Sequence, residues 1–145
     1  RRWPESYRLM GLQGVELILC GYNTPLHYAP DPSQDPLQGF HNGLVMSAGA
    51  YQNGTFVVGV AKGGLEEGVD SLADSSIFAP SGELLAKAVT NDDELIVAEC
   101  DLDWCKQYTG TLFDFAKYRR PELYAPIAQP ITTRVCLGPR GGCNI

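Results

Sequence analysis

Val15-Glu16-Leu17-Ile18-Leu19-Cys20, followed by Gly21-Tyr22-Asn23-Thr24-Pro25, sets the architecture. The first six residues form a short, nearly continuous apolar run between Gly14 and Gly21, the pattern of a strand inside a covered sheet. The residues that follow break the pattern and predict a loop at the strand's carboxyl end. On the N-terminal side, Pro4 and Glu5 suit the first turn of a helix reaching residue 12, with Gly11 and Gly14 available to close it. On the C-terminal side, Pro30, Pro32 and Pro36 predict an ordered or extended excursion over 29–36 rather than helix. Over residues 37–53, Phe40, Leu44, Val45, Ala48 and Tyr51 recur at helical spacing, and Asn53-Gly54 marks a stop. Residues 55–61, β-branched and aromatic, predict a second buried strand. The runs 75–79 and 84–88, joined through Pro80-Ser81-Gly82-Glu83, read as a β-hairpin. A further strand is expected over 95–99. Asp101-Leu102-Asp103 offers caps for a short helix over 104–108. Strand, helix, strand, hairpin and strand together predict an α/β chain with one mixed sheet.

Composition bounds what such a chain can do. The sequence has 145 residues, 44% hydrophobic and 19% charged, enough for one globular domain. A net charge of -6 argues against a nucleic-acid partner, because phosphate binding needs a basic face. No apolar run approaches the roughly 20 residues that cross a bilayer, and Arg1-Arg2 followed by Trp3-Pro4-Glu5 lacks the apolar core of a signal peptide. Cys20, Cys100, Cys105, Cys136 and Cys143 show neither metal-type pairing nor an even disulfide framework, so they are expected to be reduced thiols of a cytoplasmic protein. No linker precedes residue 128. Residues 129–145, rich in glycine and proline and without periodicity, are expected to be an irregular tail beyond a domain over 1–128.

Two constellations carry candidate chemistry. Arg1-Arg2 could grip a carboxylate, since guanidinium groups stay charged and bind it with parallel hydrogen bonds; the plain alternative is a solvated basic pair. Asn23-Thr24 lies in the loop after the first strand, where α/β ligands usually sit, and offers an amide and a hydroxyl; the plain alternative is a loop-shaping Asx turn. Other tempting residues read as structural. Lys62-Gly63-Gly64 lacks the upstream glycines of a phosphate loop, and Glu66-Glu67 are adjacent residues in a loop that could border a pocket. His27 and His41 are too far apart to suggest a metal site, and none is expected.

The run Arg1-Arg2-Trp3-Pro4-Glu5-Ser6-Tyr7-Arg8 resembles the stretch after the nucleophilic cysteine of N-carbamoyl-D-amino-acid amidohydrolases, a branch of the nitrilase (carbon–nitrogen hydrolase) superfamily. Gly21-Tyr22-Asn23-Thr24-Pro25, Ala48 to Gly54, Ser75 to Glu83 and Arg119-Arg120-Pro121-Glu122-Leu123-Tyr124 are similar to later segments of that family, so the likeness covers residues 1 to about 128. It implies the C-terminal half of an αββα four-layer sandwich, with a mixed sheet and helices on one face. A sheet designed to be covered on both faces would then leave one apolar face open.

The resemblance also implies a mechanism. A glutamate acts as general base, a cysteine thiolate attacks the carbamoyl carbon, and a lysine stabilises the oxyanion. The products are D-amino acid, ammonia and carbon dioxide. All three catalytic residues are expected upstream of Arg1, so residues 1–145 alone are expected to be inactive. Substrate-binding roles are implied for Arg1, Arg2, Asn23 and Thr24. The expected partners are a small N-carbamoyl amino acid, the missing N-terminal half, and further copies in a homo-oligomer; no cofactor, nucleic acid or membrane is implied. Alternatives left open are a noncatalytic carboxylate-binding pseudoenzyme and a superfamily amidase acting on another substrate.

Overall fold

The computed structural model describes residues 1–130. The expectation of an irregular tail therefore falls, from residue 131 onward, outside the described residues.

Helix α1 spans Pro4–Leu12, with proline at the start of the helix and Glu5 in the first turn, as residue types predict. Its end is closed by Gly14 at φ 76°, with the Val15 N–H donating to the Met10 carbonyl at 3.2 Å. Strand β1 runs over Leu17–Tyr22, two residues later than the apolar run suggests, so Tyr22 belongs to the strand and the loop begins at Asn23. Residues after that loop hold an ordered 3-10 turn, Pro32–Leu37, capped by the Asp31 carboxylate accepting from Ser33 N–H. The expected absence of helix there is corrected to this extent. Pro32 takes the first position, where the missing N–H has no partner to lose, while Pro36 lies inside the turn.

Helix α2 spans Gln38–Asn53 and stops at Gly54, φ 58°. Which face it buries differs from the expectation. Asn42, Met46, Gly49, Ala50 and Asn53 turn inward, whereas Phe40 and Leu44 are mostly exposed. The reason is close approach: the Tyr7 ring of α1 lies flat on Gly49, and a Cβ there would meet it at 2.8 Å. Only the small-residue face lets the helices come together.

Strand β2 is Phe56–Ala61, and a small hairpin follows, β3 (Leu65–Glu66) and β4 (Val69–Asp70), turned by Glu67 and Gly68 at positive φ. The Lys62-Gly63-Gly64 turn leads into it, and Lys62 pairs with Glu66. The expected second hairpin is β5 (Ser76–Phe78) with β6 (Leu84–Lys87), antiparallel and turned at Gly82, φ 85°. The main sheet has the order β1-β2-β5-β6, with β1 and β2 parallel and the other pairs antiparallel. This is the predicted mixed sheet.

No strand forms over 95–99; Leu95 and Val97 lie outside any helix or strand, largely in solvent. Among the described residues their alternation meets no neighbouring strand, and a strand needs a ladder partner for its backbone groups. Helix α3, Asp103–Thr109, follows as expected, with Asp101 accepting from the Asp103 N–H at 3.0 Å. A short α4 covers Phe115–Tyr118.

Side-chain alternation gives the sheet two unlike faces. Ile18, Val57 and Phe78 pack with Tyr7, Met46 and Ala50 beneath α1 and α2. On the other face Phe56 and Ala79 are covered by Cys105 and Trp104 of α3, yet Leu19 is 70% exposed and Val60 57%. The strands expected to be buried are thus covered on one face and partly open on the other.

Candidate functional site

Arg1 projects from the chain just before α1 into the space between the end of β1 and the second turn of α2. Its Nε–H donates to Asn42 Oδ1 at 2.7 Å, and its Nη2 donates to Thr24 Oγ1 at 3.0 Å. The guanidinium carbon lies 4.0 Å from the centre of the Tyr22 ring, a cation–π stack on the last residue of β1.

Thr24 is held there by backbone pairing. Its carbonyl accepts from Leu72 N–H at 2.8 Å, the Asp70 carbonyl accepts from Leu26 N–H at 2.9 Å, and Pro25 bridges Ser71. The loop after β1 is zipped to the segment after β4, which buries the Thr24 hydroxyl side of the loop.

Asn42 is the centre of the arrangement and is 1% exposed. Its Nδ2 donates toward Tyr22 Oη at 2.9 Å, Asp74 Oδ2 at 3.1 Å and the Asp74 carbonyl at 3.3 Å. Because arginine carries only donors, the Asn42 oxygen must face Arg1, which fixes the amide's orientation. Asp74 arrives through two left-handed residues, Ala73 at φ 54° and Asp74 at φ 72°. Non-glycine residues rarely adopt that region, and the strain is sustained by the surroundings. The Asp74 carbonyl also accepts from Tyr22 Oη at 3.2 Å and Ser76 Oγ at 2.9 Å, while its carboxylate pairs with Lys87 of β6.

Of the residues expected to bind substrate, the structure brings Arg1 and Thr24 together. Arg2 is exposed and donates to Gln38 Oε1 at a long 3.4 Å. Asn23 is exposed and makes no side-chain hydrogen bond among the described residues. Tyr22, Asn42 and Asp74 were not anticipated. The available signal was Asn42 beside Gly43 in the first half of the helix, on the face that carries Met46, Gly49 and Ala50. Asp74, just before the hairpin, carries no such signal.

The electrostatics are unbalanced at Arg1. Burial lowers its pKa, with Arg2 adding to the effect and Tyr22 opposing it. Burial raises the Tyr22 pKa, which the Asn42 hydrogen bond partly offsets. Among the described residues no carboxylate forms an ion pair with Arg1; Asp74, beyond Asn42, is neutralised by Lys87. Two of the thiols, Cys100 and Cys105, are of the inert kind. Burial pushes Cys105 up to about 11 and raises Cys100 as well, the opposite of an activated nucleophile. The histidines serve local roles: His27 Nδ1 meets Asp35 at 2.8 Å on the surface, and His41 packs beside Phe40.

The family model described as carbon-nitrogen hydrolase matches residues 1–109. The chain belongs to the carbon-nitrogen hydrolase family. Its relatives include a protein named nitrilase from Pyrococcus abyssi, 30% identical over 123 residues, covering 84% of this chain and 42% of that protein. A probable nitrilase from Schizosaccharomyces pombe is 26% identical, over 88% of this chain and 43% of its own length. This carbon-nitrogen hydrolase chain thus spans less than half the length of these curated relatives. Among solved structures, a carbon-nitrogen hydrolase from Helicobacter pylori G27 superposes with a TM-score of 0.74 at 21% identity, covering 88% of this chain and 45% of the other. An amidase from Nesterenkonia sp. AN1 superposes with a TM-score of 0.58 at 22% identity, covering 85% and 39%. The nitrilase-superfamily fold implied by the sequence is therefore the one observed. No helix among the described residues is long and apolar enough to cross a membrane.

Proposed function

We propose that the chain forms the carboxylate-reading part of a carbon–nitrogen hydrolase acting on N-carbamoyl-D-amino acids. In this reading the general-base glutamate, the oxyanion-stabilising lysine and the nucleophilic cysteine lie outside residues 1–145. The isolated chain therefore binds substrate without turning it over.

One observation carries the reading. Arg1 is half-buried and stacked on an aromatic ring, and among the described residues it is hydrogen-bonded only to neutral groups and has no carboxylate partner. A partly desolvated cation is costly unless an anion joins it. Of the five N–H donors of a guanidinium, two are used on Asn42 and Thr24, which leaves three for a ligand. Thr24 Oγ accepts from Arg1, so its own proton is free to donate to the same anion. An α-carboxylate satisfies both.

A second reading is favoured by the name of the Pyrococcus abyssi relative, nitrilase, which suggests an uncharged substrate. Calorimetry separates the two. Titration of the chain with N-carbamoyl-D-phenylalanine should give saturable heat, and titration with its neutral carboxamide should not. Equal binding of both would assign the site to neutral substrates. An ammonia assay on the same mixture should remain at the level of a boiled control.

A further inference from the structure

We propose that Asn42 and Asp74 are positioning residues that lock the Arg1 guanidinium in one orientation, so that the carboxylate site is formed before ligand arrives. The proposal rests on the carboxylate reading given above and adds how that site is held.

An unrestrained arginine samples many rotamers, and ordering it costs side-chain entropy. Here the orientation is set from three sides. The Tyr22 ring fixes the plane, Thr24 takes one Nη2 proton, and Asn42 takes the Nε proton. Asn42 can do so only while its own amide is held, since rotation by half a turn would place an NH2 group against a donor-only guanidinium. What holds the amide is Asp74, whose carboxylate and carbonyl both accept from Asn42 Nδ2. Asp74 in turn is held by Lys87 and by its left-handed backbone. A relay of neutral amide between carboxylate and guanidinium keeps Asp74 from pairing with Arg1 directly. Arg1 stays oriented but, among the described residues, remains uncompensated, as a receptor for an external anion requires. Direct pairing would have closed the site.

The chain Lys87–Asp74–Asn42–Arg1 links β6, the strained residues before β5, α2 and the N-terminal segment, and none of these four residues is adjacent in sequence to another. The relay ends in the Asn42 oxygen that accepts from Arg1 Nε–H.

The test uses the 145-residue chain with arginine labelled by nitrogen-15, the Arg1 signal being assigned from an Arg1→Lys variant. In the native chain the Arg1 Nε–H should exchange slowly with water. Asp74→Asn, which preserves shape, should speed that exchange at least tenfold and weaken N-carbamoyl-D-phenylalanine binding by about tenfold, the scale of one lost hydrogen bond to a charged group. Exchange at Arg8 should not change. Asn42→Ala should do the same more strongly. If that variant loses its native spectrum, Asp74→Asn decides. Unaltered Arg1 exchange in folded Asp74→Asn overturns the proposal. If exchange responds as expected but neither the native chain nor the variants bind the carbamoyl acid, the positioning role stands and the substrate assignment fails.

Discussion

At the scale of single residues, Arg1 and Arg2 are neighbours in sequence with different surroundings. Arg1 is inserted between Tyr22, Thr24 and Asn42, whereas Arg2 reaches only Gln38 from an exposed position. Hydrogen bonds involving a charge contribute about 1.5–3 kcal/mol. Arg1→Ala should therefore weaken binding of an N-carbamoyl amino acid by about 10- to 100-fold, and Arg2→Ala by clearly less. Calorimetry on both variants checks the order, and a larger loss at Arg2 would reverse the assignment. Tyr7 offers a second test. Its ring is buried between α1 and α2, and its hydroxyl meets no hydrogen-bond partner among the described residues. Burial is the first cause raising its pKa, to about 12 from 10.0. A raised value means that the folded state holds the proton more tightly. Its contribution is complete below pH 10 and is lost as pH climbs toward 12. Chemical denaturation across that range should show native stability falling more steeply than that of Tyr7→Phe. At neutral pH the variant should be unchanged or more stable by about 1 kcal/mol, because it removes a buried, unpartnered hydroxyl.

At the scale of elements, the α1–α2 contact is governed by two glycines. Gly49 receives the Tyr7 ring, and Gly11 lies where a Cβ would come within 3.0 Å of Asn53 Cβ. Alanine at Gly49 would improve helix propensity by about 1 kcal/mol. It would also press a methyl into a rigid ring at 2.8 Å, an overpacking that costs about 1–3 kcal/mol. The steric cost wins because neither the ring nor the helix backbone can yield. Gly49→Ala should lower the thermal midpoint, measured by circular dichroism. A stabilised variant would show that the helices are free to separate. The consequence reaches the site, since Asn42 sits on the same inward face of α2, two turns earlier.

At the scale of the whole molecule, the sheet is covered by α1 and α2 on one face and only in part on the other. Leu19 and Val60 stand on the open face, on the paired strands β1 and β2, with Leu17 nearby. Contiguous exposed apolar surface favours association. The native chain should therefore self-associate with rising concentration in sedimentation velocity. Leu19→Glu with Val60→Lys should shift it toward monomer without loss of helical signal. If the double variant associates as strongly as the native chain, another surface is responsible. The chain covers 40–43% of the length of three curated relatives.

Much of the architecture was already determined by local chemistry. Pro4 and Gly14 bound α1, Gly54 ends α2, and the Pro80–Glu83 turn makes the β5–β6 hairpin, because each depends on backbone preferences within a few residues. Tertiary structure alone decided the inward face of α2, the absence of a strand over 95–99, and the assembly of the site. Periodicity registers contrast between apolar and polar side chains, but the close approach of Tyr7 to Gly49 selects for smallness instead. An alternating run becomes a strand only where another strand supplies hydrogen bonds, and among the described residues Leu95 and Val97 found none. Arg1, Tyr22, Thr24, Asn42 and Asp74 are scattered over 74 positions of the chain. The zipping of the 23–26 loop to residues 70–72, and the strain at Ala73 and Asp74, bring them within hydrogen-bonding reach of one another. Such long-range contacts leave no periodic mark on a sequence, so only the folded chain reveals them.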